Sequence, residues 1–507
     1  MKKQSNITAN LDAINDIYKQ LNEIALSSAQ QGKAIDEVEH EIWGKLMQLG
    51  HELLASVFAQ LGRGDVGPEI QTEGKPTLKR SRQPQHRRYR SIFGVFDLER
   101  YTYAEQAKRE AQCIPLDEQV ALPKHDYSLL LESWIGIAAS EDSFDHAVSM
   151  LERIFLSRIP VDSAERVCGR QAEMVNDFFD QLPTPDPQEE GEILVETLDR
   201  KGVPLRRSRS DPEPAFAPSE QKGAKPGTKK MATVGSVYSV DRHQRDAQAV
   251  LDALFRKKRE DQRKNKRPRP KHKRVRAILP NEVDDGDETV AIDTVAVICD
   301  WMSEEVESRH RKNQEIVLLC DGEEGLWETV SFSRSESTAV TEILDLLHAV
   351  PRIWKCGELL HGHEPLERYV YRRISELLAG RGRAVIRGFR RKATLMELQG
   401  KARETIDTAC NYLERHLPRM RYDEYLSRGL PIATGVIEGA CRHLVKDRLE
   451  RSGMRWTIDG AQSILDLRSV IASDLWEPYQ AHYRERTLRD RYGETRRNFA
   501  SELGLAA

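Results

Sequence analysis

The sequence predicts an α/β protein: a mixed sheet with flanking helices, interrupted by a helical insertion and preceded by a largely helical N-terminal region with a β-hairpin. Three observations lead there. Two short apolar runs, Ile193–Val195 in "EILVETLDRKG" and Ile316–Leu319 in "QEIVLLCDG", are each followed by an aspartate and a nearby glycine, the pattern of buried strands that end at a ligand-facing sheet edge. The N-terminal stretches "ITANLDAINDIYKQLNEIAL" and "AIDEVEHEIWGKLMQLGHELLASVFAQLG" space Leu, Ile, Val and Trp at three and four, as amphipathic helices do. A long Arg-rich stretch from 364 to 428 is also spaced for helices.

The bulk numbers allow this. At 507 residues, 39% hydrophobic and 31% charged, the chain can bury at least one large core and expose a wide polar surface. The formal charge of -3 carries no global signature of nucleic-acid binding, so any such function rests on local clusters. No run approaches the ~18 apolar residues of a membrane span, and the N-terminus lacks a signal-type apolar run. The expectation is a cytoplasmic protein with no membrane partner. Seven scattered cysteines without a C-x-x-C pair point to reduced thiols rather than a disulfide framework or a cysteine zinc site.

Along the chain, residues 1–75 read as a helical region, serving either self-association or packing. "KPTLKRSRQPQHRRYR" is basic and poor in apolar residues. "SIFGVFDLERYTYAE" alternates around Gly94 and reads as a hairpin. Residues 126–181 read as three helices, with Ser163 as an N-cap after Pro160. They form either a helix-turn-helix reader or an ordinary bundle, and with the hairpin they make a region 76–181. The Pro- and acid-rich "LPTPDPQEEGE", Leu182–Glu192, is the best domain boundary.

A core of 193–350 follows. It opens with a strand ending in Asp199, then a strand in "MATVGSVYSVD" and a helix in "AQAVLDALF". The basic run 256–276 has Lys or Arg at 13 of its 21 positions and two interrupting prolines. It is too charged for a core and too broken for one helix, so a loop is expected, either clamping DNA phosphates or simply solvated. "DETVAIDTVAVICDWMSEEVESRH" reads as helical, with a strand left open by its Val and Ile content, and "QEIVLLCDG" reads as a strand ending in Asp321. Residues 351–430 form the helical insertion, 431–475 return to the core, and 476–507 are a polar tail.

Asp199 and Asp321 each have a plain alternative role as turn formers or helix caps. A third acid bears on the choice. Glu438 opens a helix in "GVIEGACRHLVKDRLERSGMRW" whose apolar stripe is Ile437, Cys441, Leu444, Val445 and the stem of Arg448. Steps of four from Glu438 reach Arg442 and Lys446 on one neighbouring edge. Helix-dipole stabilisation explains a lone Glu there but not the cations beside it. Three acids from two strands and a helix suit hard divalent cations, which take oxygen ligands. Such ions promote phosphodiester chemistry, and Lys201, Arg442, Lys446, Arg448, Arg451 and Arg455 would hold the polyanion.

"LDRKGVPL", "KKMATVGSVYSVD", "CDGEEGLW", "LDLLHAVPRIWKC" and "GVIEGACRHLVKDRLERSGMRW" together resemble the transposases of bacterial insertion sequences of the ISKra group, within the Mutator-like Asp-Asp-Glu transposases of RNase H-like fold. The resemblance covers most of the chain, and its last motif, E-G-x-x-R-x-x-x-K-x-R-x-x-x-x-G-x-x-W, is long. It implies catalytic, metal-binding roles for Asp199, Asp321 and Glu438, two Mg²⁺ or Mn²⁺ ions, and cleavage and transfer of double-stranded DNA at element ends into a target. A homo-oligomer and a bacterial cytoplasmic location, on the nucleoid when DNA-bound, are implied as well. "DLLH" stands where related transposases carry Asp-x-x-His, which places Asp345 and His348 in the active-site neighbourhood. Arg200 departs from the Ala-Asp-Gly-Lys-Gly pattern around the first acid. The competing readings are an inactive, domesticated DNA-binding protein and a metal-dependent nuclease or resolvase on the same core. A glycoside hydrolase is disfavoured, because cations and not aromatic platforms accompany the acids.

Overall fold

A computed structural model describes residues 2–71, 76–105, 111–206, 228–256, 267–285, 288–332, 339–433, 435–451 and 454–493; at 2–9, 228, 282–285, 288–291, 324, 331–332 and 436–438 it describes the backbone only. The chain divides into two compact units, 1–174 with 477–507, and 175–476. The division precedes the linker 182–192. The last expected helix of 126–181 is broken near Glu173, and its second piece packs into the second unit.

In the first unit, α1 (Lys2–Gln31) and α2 (Ile35–Leu61) pack on one another as a helical hairpin. The short strands β1 (Glu69–Ile70), β2 (Leu78–Arg80) and β5 (Tyr103–Ala104) make a small sheet, while β3 (Gln85–Ser91) and β4 (Gly94–Arg100) form the β-hairpin. Gly94 turns it with φ +113°, a conformation that suits only glycine. Its first arm therefore lies inside the basic stretch that is poor in apolar residues. The arm is held because Arg87 turns inward to the buried Asp117 at 2.7 Å, on α3 (Pro115–Gln119).

Helices α4 (Leu129–Glu141), α5 (Phe144–Phe155) and α6 (Val161–Ala172) pack together. Ser128 and Ser143 cap the first two. The third starts earlier than expected, with Pro160 at its N-cap and Ser163 within its first turn. The expected polar tail is helical through Tyr492 as α19 (Trp476–Tyr492). Its tyrosines explain why: Tyr479 and Tyr483 are buried, and Tyr483 donates to the buried Glu132 of α4 at 2.8 Å. Residues 494–507 lie outside the described residues.

The second unit begins with α7 (Val175–Asp180) and is built on a five-stranded mixed sheet of order β12-β11-β6-β7-β8. β6 (Ile193–Leu205), β7 (Thr228–Val240) and β8 (Lys271–Ile278) are antiparallel; β11 (Glu315–Cys320) and β12 (Val340–Leu344) run parallel to β6. Both faces are covered, which is why the runs are continuously apolar. Leu194, Leu198, Val237, Ile316 and Leu318 face α9 (Thr294–Arg309) and α10 (Glu324–Phe332). At Gly235 a Cβ would stand 2.4 Å from Ile298 of α9, so only glycine lets that helix sit so close.

Ile193, Val195, Val317, Leu319 and Ile343 face the other way, into a core shared with α8 (Ala247–Leu254) and the insertion helices. Those are α11 (Leu346–Leu360), α12 (Leu366–Leu378), α13 (Gly382–Leu395), α14 (Gly400–Arg415) and α15 (Tyr422–Ser427). α16 (Gly435–Ala440), a π-helical turn Cys441–Lys446, α17 (Asp447–Leu449) and α18 (Ile458–Ala472) complete the unit.

Two expectations are corrected here. "DETVAIDTV…" is not one helix: Glu288–Ala291 is β10, paired with β9 (Glu282–Asp285), and the helix starts only after Asp293, whose side chain caps it. The basic run is not all loop either. Residues 257–266 lie outside the described residues, but 271–276 form edge strand β8. Charge is admitted there because partners wait: Arg274 meets Glu305 of α9 at 2.6 Å, and the Arg276 guanidinium lies over Phe179 and Trp301. Nearby, Arg309 and Glu190 form a fully buried pair at 2.8 Å. Removing one partner of such a pair strands the other charge, at a cost of roughly 3–5 kcal/mol. Arg309→Met should lower urea-unfolding stability by about that much; a loss below about 1 kcal/mol, the range of an exposed pair, would show the pair does not hold β6 to α9.

Candidate active site at the ends of three parallel strands

The register of β6, β11 and β12 decides the site. Leu198 pairs with Cys320, and Cys320 with Leu344. The next residues on the three chains are Asp199, Asp321 and Asp345. All three continue the alternation of Val195, Leu319 and Ile343, so they share the face covered by the helical insertion. Asp199 is not the end of its strand, as expected from its apolar run. β6 continues to Leu205 as a ribbon with β7, while β11 stops beside it, and that stop opens the sheet edge at Asp199.

Asp199 Oδ1 accepts from the Arg200 amide at 2.7 Å. Arg200 turns away to Glu323 at 2.7 Å and so leaves the first acid uncovered by its guanidinium. Asp321 is partly buried, and burial pushes its carboxyl above the usual range; Glu323's amide and His348 pull it back, while the charge of Asp199 pushes it further up. These mutual effects place Asp199, Asp321 and His348 in one electrostatic neighbourhood. Asp345 is almost fully buried, caps α11 by accepting from the Leu347 amide at 2.7 Å, and donates its own amide to Cys320 at 2.9 Å. His348 follows one turn into α11.

Insertion helix α14 covers this edge with two residues that the sequence reading did not single out. A Cβ on Gly322 would stand 2.2 Å from the Tyr412 hydroxyl, so the glycine after Asp321 makes room for this tyrosine. Burial pushes the Tyr412 phenol up to about 12, and the Asp321 and Asp345 charges add to this. His416, four residues on, bonds the Gly322 carbonyl at 3.2 Å. The i, i+4 spacing of Tyr412 and His416 was the available signal.

Glu438 lies on α16, which packs against β6 and β7; its side chain is not among those described. Gly435, at the start of α16, lines a pocket with Tyr238, so α16 begins on the face that bears the aspartates. After it the π turn alters the four-residue steps expected from Glu438, and the Arg468 side chain takes the His443 carbonyl there at 2.9 Å. Arg442 and Lys446 are exposed, as are Arg451 and Arg455; Lys201 is partly buried. Arg448 does not stand with them. It is fully buried, its guanidinium 4.6 Å from the Trp456 ring. Trp456 in turn bonds both ways to the end of β6, donating its amide to Pro204 and accepting from Arg206. The Arg448–Trp456 end of the motif is thus a clamp that ties the segment after Glu438 to the strand of Asp199.

Among the described residues no group of three or more His, Cys, Asp or Glu side chains is gathered closely enough to hold a metal ion. Asp199 and Asp321 nevertheless fit a divalent cation in kind. They are all-oxygen donors on adjacent strands whose mutual repulsion a cation relieves, and α16, the helix of Glu438, packs against the first of those strands.

No family model matches this chain, and no curated protein matches it. Among solved structures it is similar to a chain of a Drosophila P element transposase strand transfer complex, at 10% identity and a TM-score of 0.25, over 72% of this chain and 85% of that one. At that score the likeness says nothing of activity.

The carboxyl of Asp321 should titrate above the ordinary aspartate range in metal-free protein, and Asp199→Asn should bring it down. Carboxyl-carbon NMR of aspartate-labelled protein reads this directly; an Asp321 titration indifferent to Asp199 would separate the two acids.

Proposed function

We propose that this chain is an Asp-Asp-Glu DNA transposase of the ISKra insertion-sequence type, with an RNase H-like core. One observation carries the reading: Asp199 and Asp321 directly follow the last paired rung of adjacent parallel strands and lie on one face, and the helix bearing Glu438 packs against the first of those strands. Asp199, Asp321 and Glu438 are the proposed ligands of two Mg²⁺ or Mn²⁺ ions. Bound there, such ions would activate the attacking hydroxyl and neutralise charge on the leaving oxygen. Asp345 and His348 are assigned supporting roles, the first fixing the start of α11, the second setting the charge balance at Asp321.

The protein's own work is positioning. Phosphoryl transfer needs little covalent participation, so catalysis comes from holding the attacking oxygen, phosphorus and leaving oxygen in line. Lys201, Arg442, Lys446, Arg451 and Arg455 are the proposed phosphate contacts on double-stranded DNA, at element ends and target; buried Arg448 holds the motif instead. Self-association is proposed through the first unit, since Leu11, Tyr18 and Leu26 of α1 and Trp43, Leu46 and Leu53 of α2 stand exposed and apolar stripes of this kind mark interfaces.

Asp199→Asn, Asp321→Asn and Glu438→Gln should each lower Mg²⁺-dependent cleavage of duplexes carrying the sequences that flank the gene by on the order of a thousandfold. DNA affinity in EDTA should remain. With pre-cut ends the wild type should join strands; cutting without joining would identify a nuclease, and binding without cutting a domesticated protein. The wild type should sediment above monomer mass, and a Leu11→Lys, Leu26→Lys double variant should not.

A further inference from the structure

The second unit contains a cationic pocket that the proposed catalytic chemistry does not use. It is about 320 Å³ in volume, and its walls include Tyr238, His243, Arg245, Arg267 and Pro431. That volume is at the small end of ligand sites, large enough for more than a bare anion.

The guanidiniums of Arg245 and Arg267 face one another's charge. Burial, and then Arg267, push Arg245 down to about 10. Arg245 Nε is buried and takes no partner among the described residues; its Nη2 donates to the Leu430 carbonyl at 3.3 Å. Arg267 is exposed, and a Cβ on Gly435 would stand 3.6 Å from its Nη1, which sets it at the start of α16. The one carboxylate in the wall, Asp241, is engaged by Lys271 at 2.9 Å. His243 is pushed down by burial and by the same two arginines, which favours its neutral form.

Two like charges beside each other, one with a buried donor unspent, cost free energy unless an anion joins them. A guanidinium pair matches the oxygens of a phosphate in geometry as well as charge. The rest of the wall, with Val240, Pro268 and Pro431, suits the apolar edge of a sugar. Position agrees. Tyr238 pairs with Val195, four residues before Asp199 on β6, so the pocket opens about 13 Å along the strand from the first acid.

We propose that this pocket binds a phosphate of the DNA backbone, seated between Arg245 and Arg267, with the adjoining sugar against the proline wall. The proposal rests on the DNA reading of the active site and gives that DNA a second point of attachment, beside Gly435 at the start of α16.

The test is fluorescence-anisotropy binding of a labelled duplex and a labelled single strand to the full chain, in EDTA, across a salt series. Arg245→Gln and Arg267→Gln should each weaken binding about tenfold and reduce the salt slope by roughly 0.9, one phosphate contact. Arg387→Gln, an exposed cation outside the pocket, should leave the slope less affected. Because each pocket substitution removes one of two crowded like charges, Tm should not fall, which separates loss of binding from loss of fold. Unchanged affinity and slope in both variants would overturn the proposal. So would Arg245-dependent binding of inorganic phosphate or a nucleoside monophosphate with DNA affinity unchanged, which would make the ligand a free phosphate compound. EDTA keeps catalysis out of the measurement, so a protein that binds through the pocket but never cuts loses only the catalytic reading.

Discussion

The second unit depends on the parallel pairing of β6, β11 and β12, whose last shared rung is Leu198, Cys320 and Leu344. Parallel strands fix both register and direction, and period-two alternation fixes the face. Once Leu198, Cys320 and Leu344 are aligned, the aspartates after them have no freedom to diverge. Burial of Val195, Leu319 and Ile343 at 0% exposure makes a one-residue slip prohibitive, because it would turn each apolar set out of its core. The acids are thus placed by the hydrophobic core beneath them.

The third acid is positioned by other means. α16 is a short helix followed by a π turn, a departure that in other helices marks functional positions. What steadies it lies downstream: Arg468 takes a carbonyl of the π turn, Arg448 lies against Trp456, and Trp456 is bonded to the end of β6. A buried arginine and a tryptophan therefore connect the helix of Glu438 back to the strand of Asp199. The insertion closes the arrangement from the other side, with Tyr412 and His416 over Gly322.

What could be read from the sequence follows the same physics. The runs at Asp199 and Asp321 were legible because strands buried on both faces are unbroken apolar runs. The length of β6 was not, since beyond Asp199 it is a two-stranded ribbon whose "RKGVPL" carries no such run. β8 was hidden by its charge: Arg274 and Arg276 belong in a strand only because Glu305, Phe179 and Trp301 are brought to them by the fold. Arg448 was misplaced for the same reason, as its aromatic partner lies eight positions later across a turn. The end of α19 reads as a polar tail until Tyr479 and Tyr483 are seen to be buried. Local pattern located the strands that carry Asp199 and Asp321, while the partners that set their surroundings are non-local.

The central claim is that Asp199, Asp321 and Glu438 form one hard-cation site. Its most direct test is a crystal structure grown with Mn²⁺ and read by anomalous scattering. The account predicts an anomalous manganese peak that Asp199 and Asp321 would hold together with Glu438. Millimolar Mn²⁺ that leaves no anomalous peak between the two strand ends would contradict it.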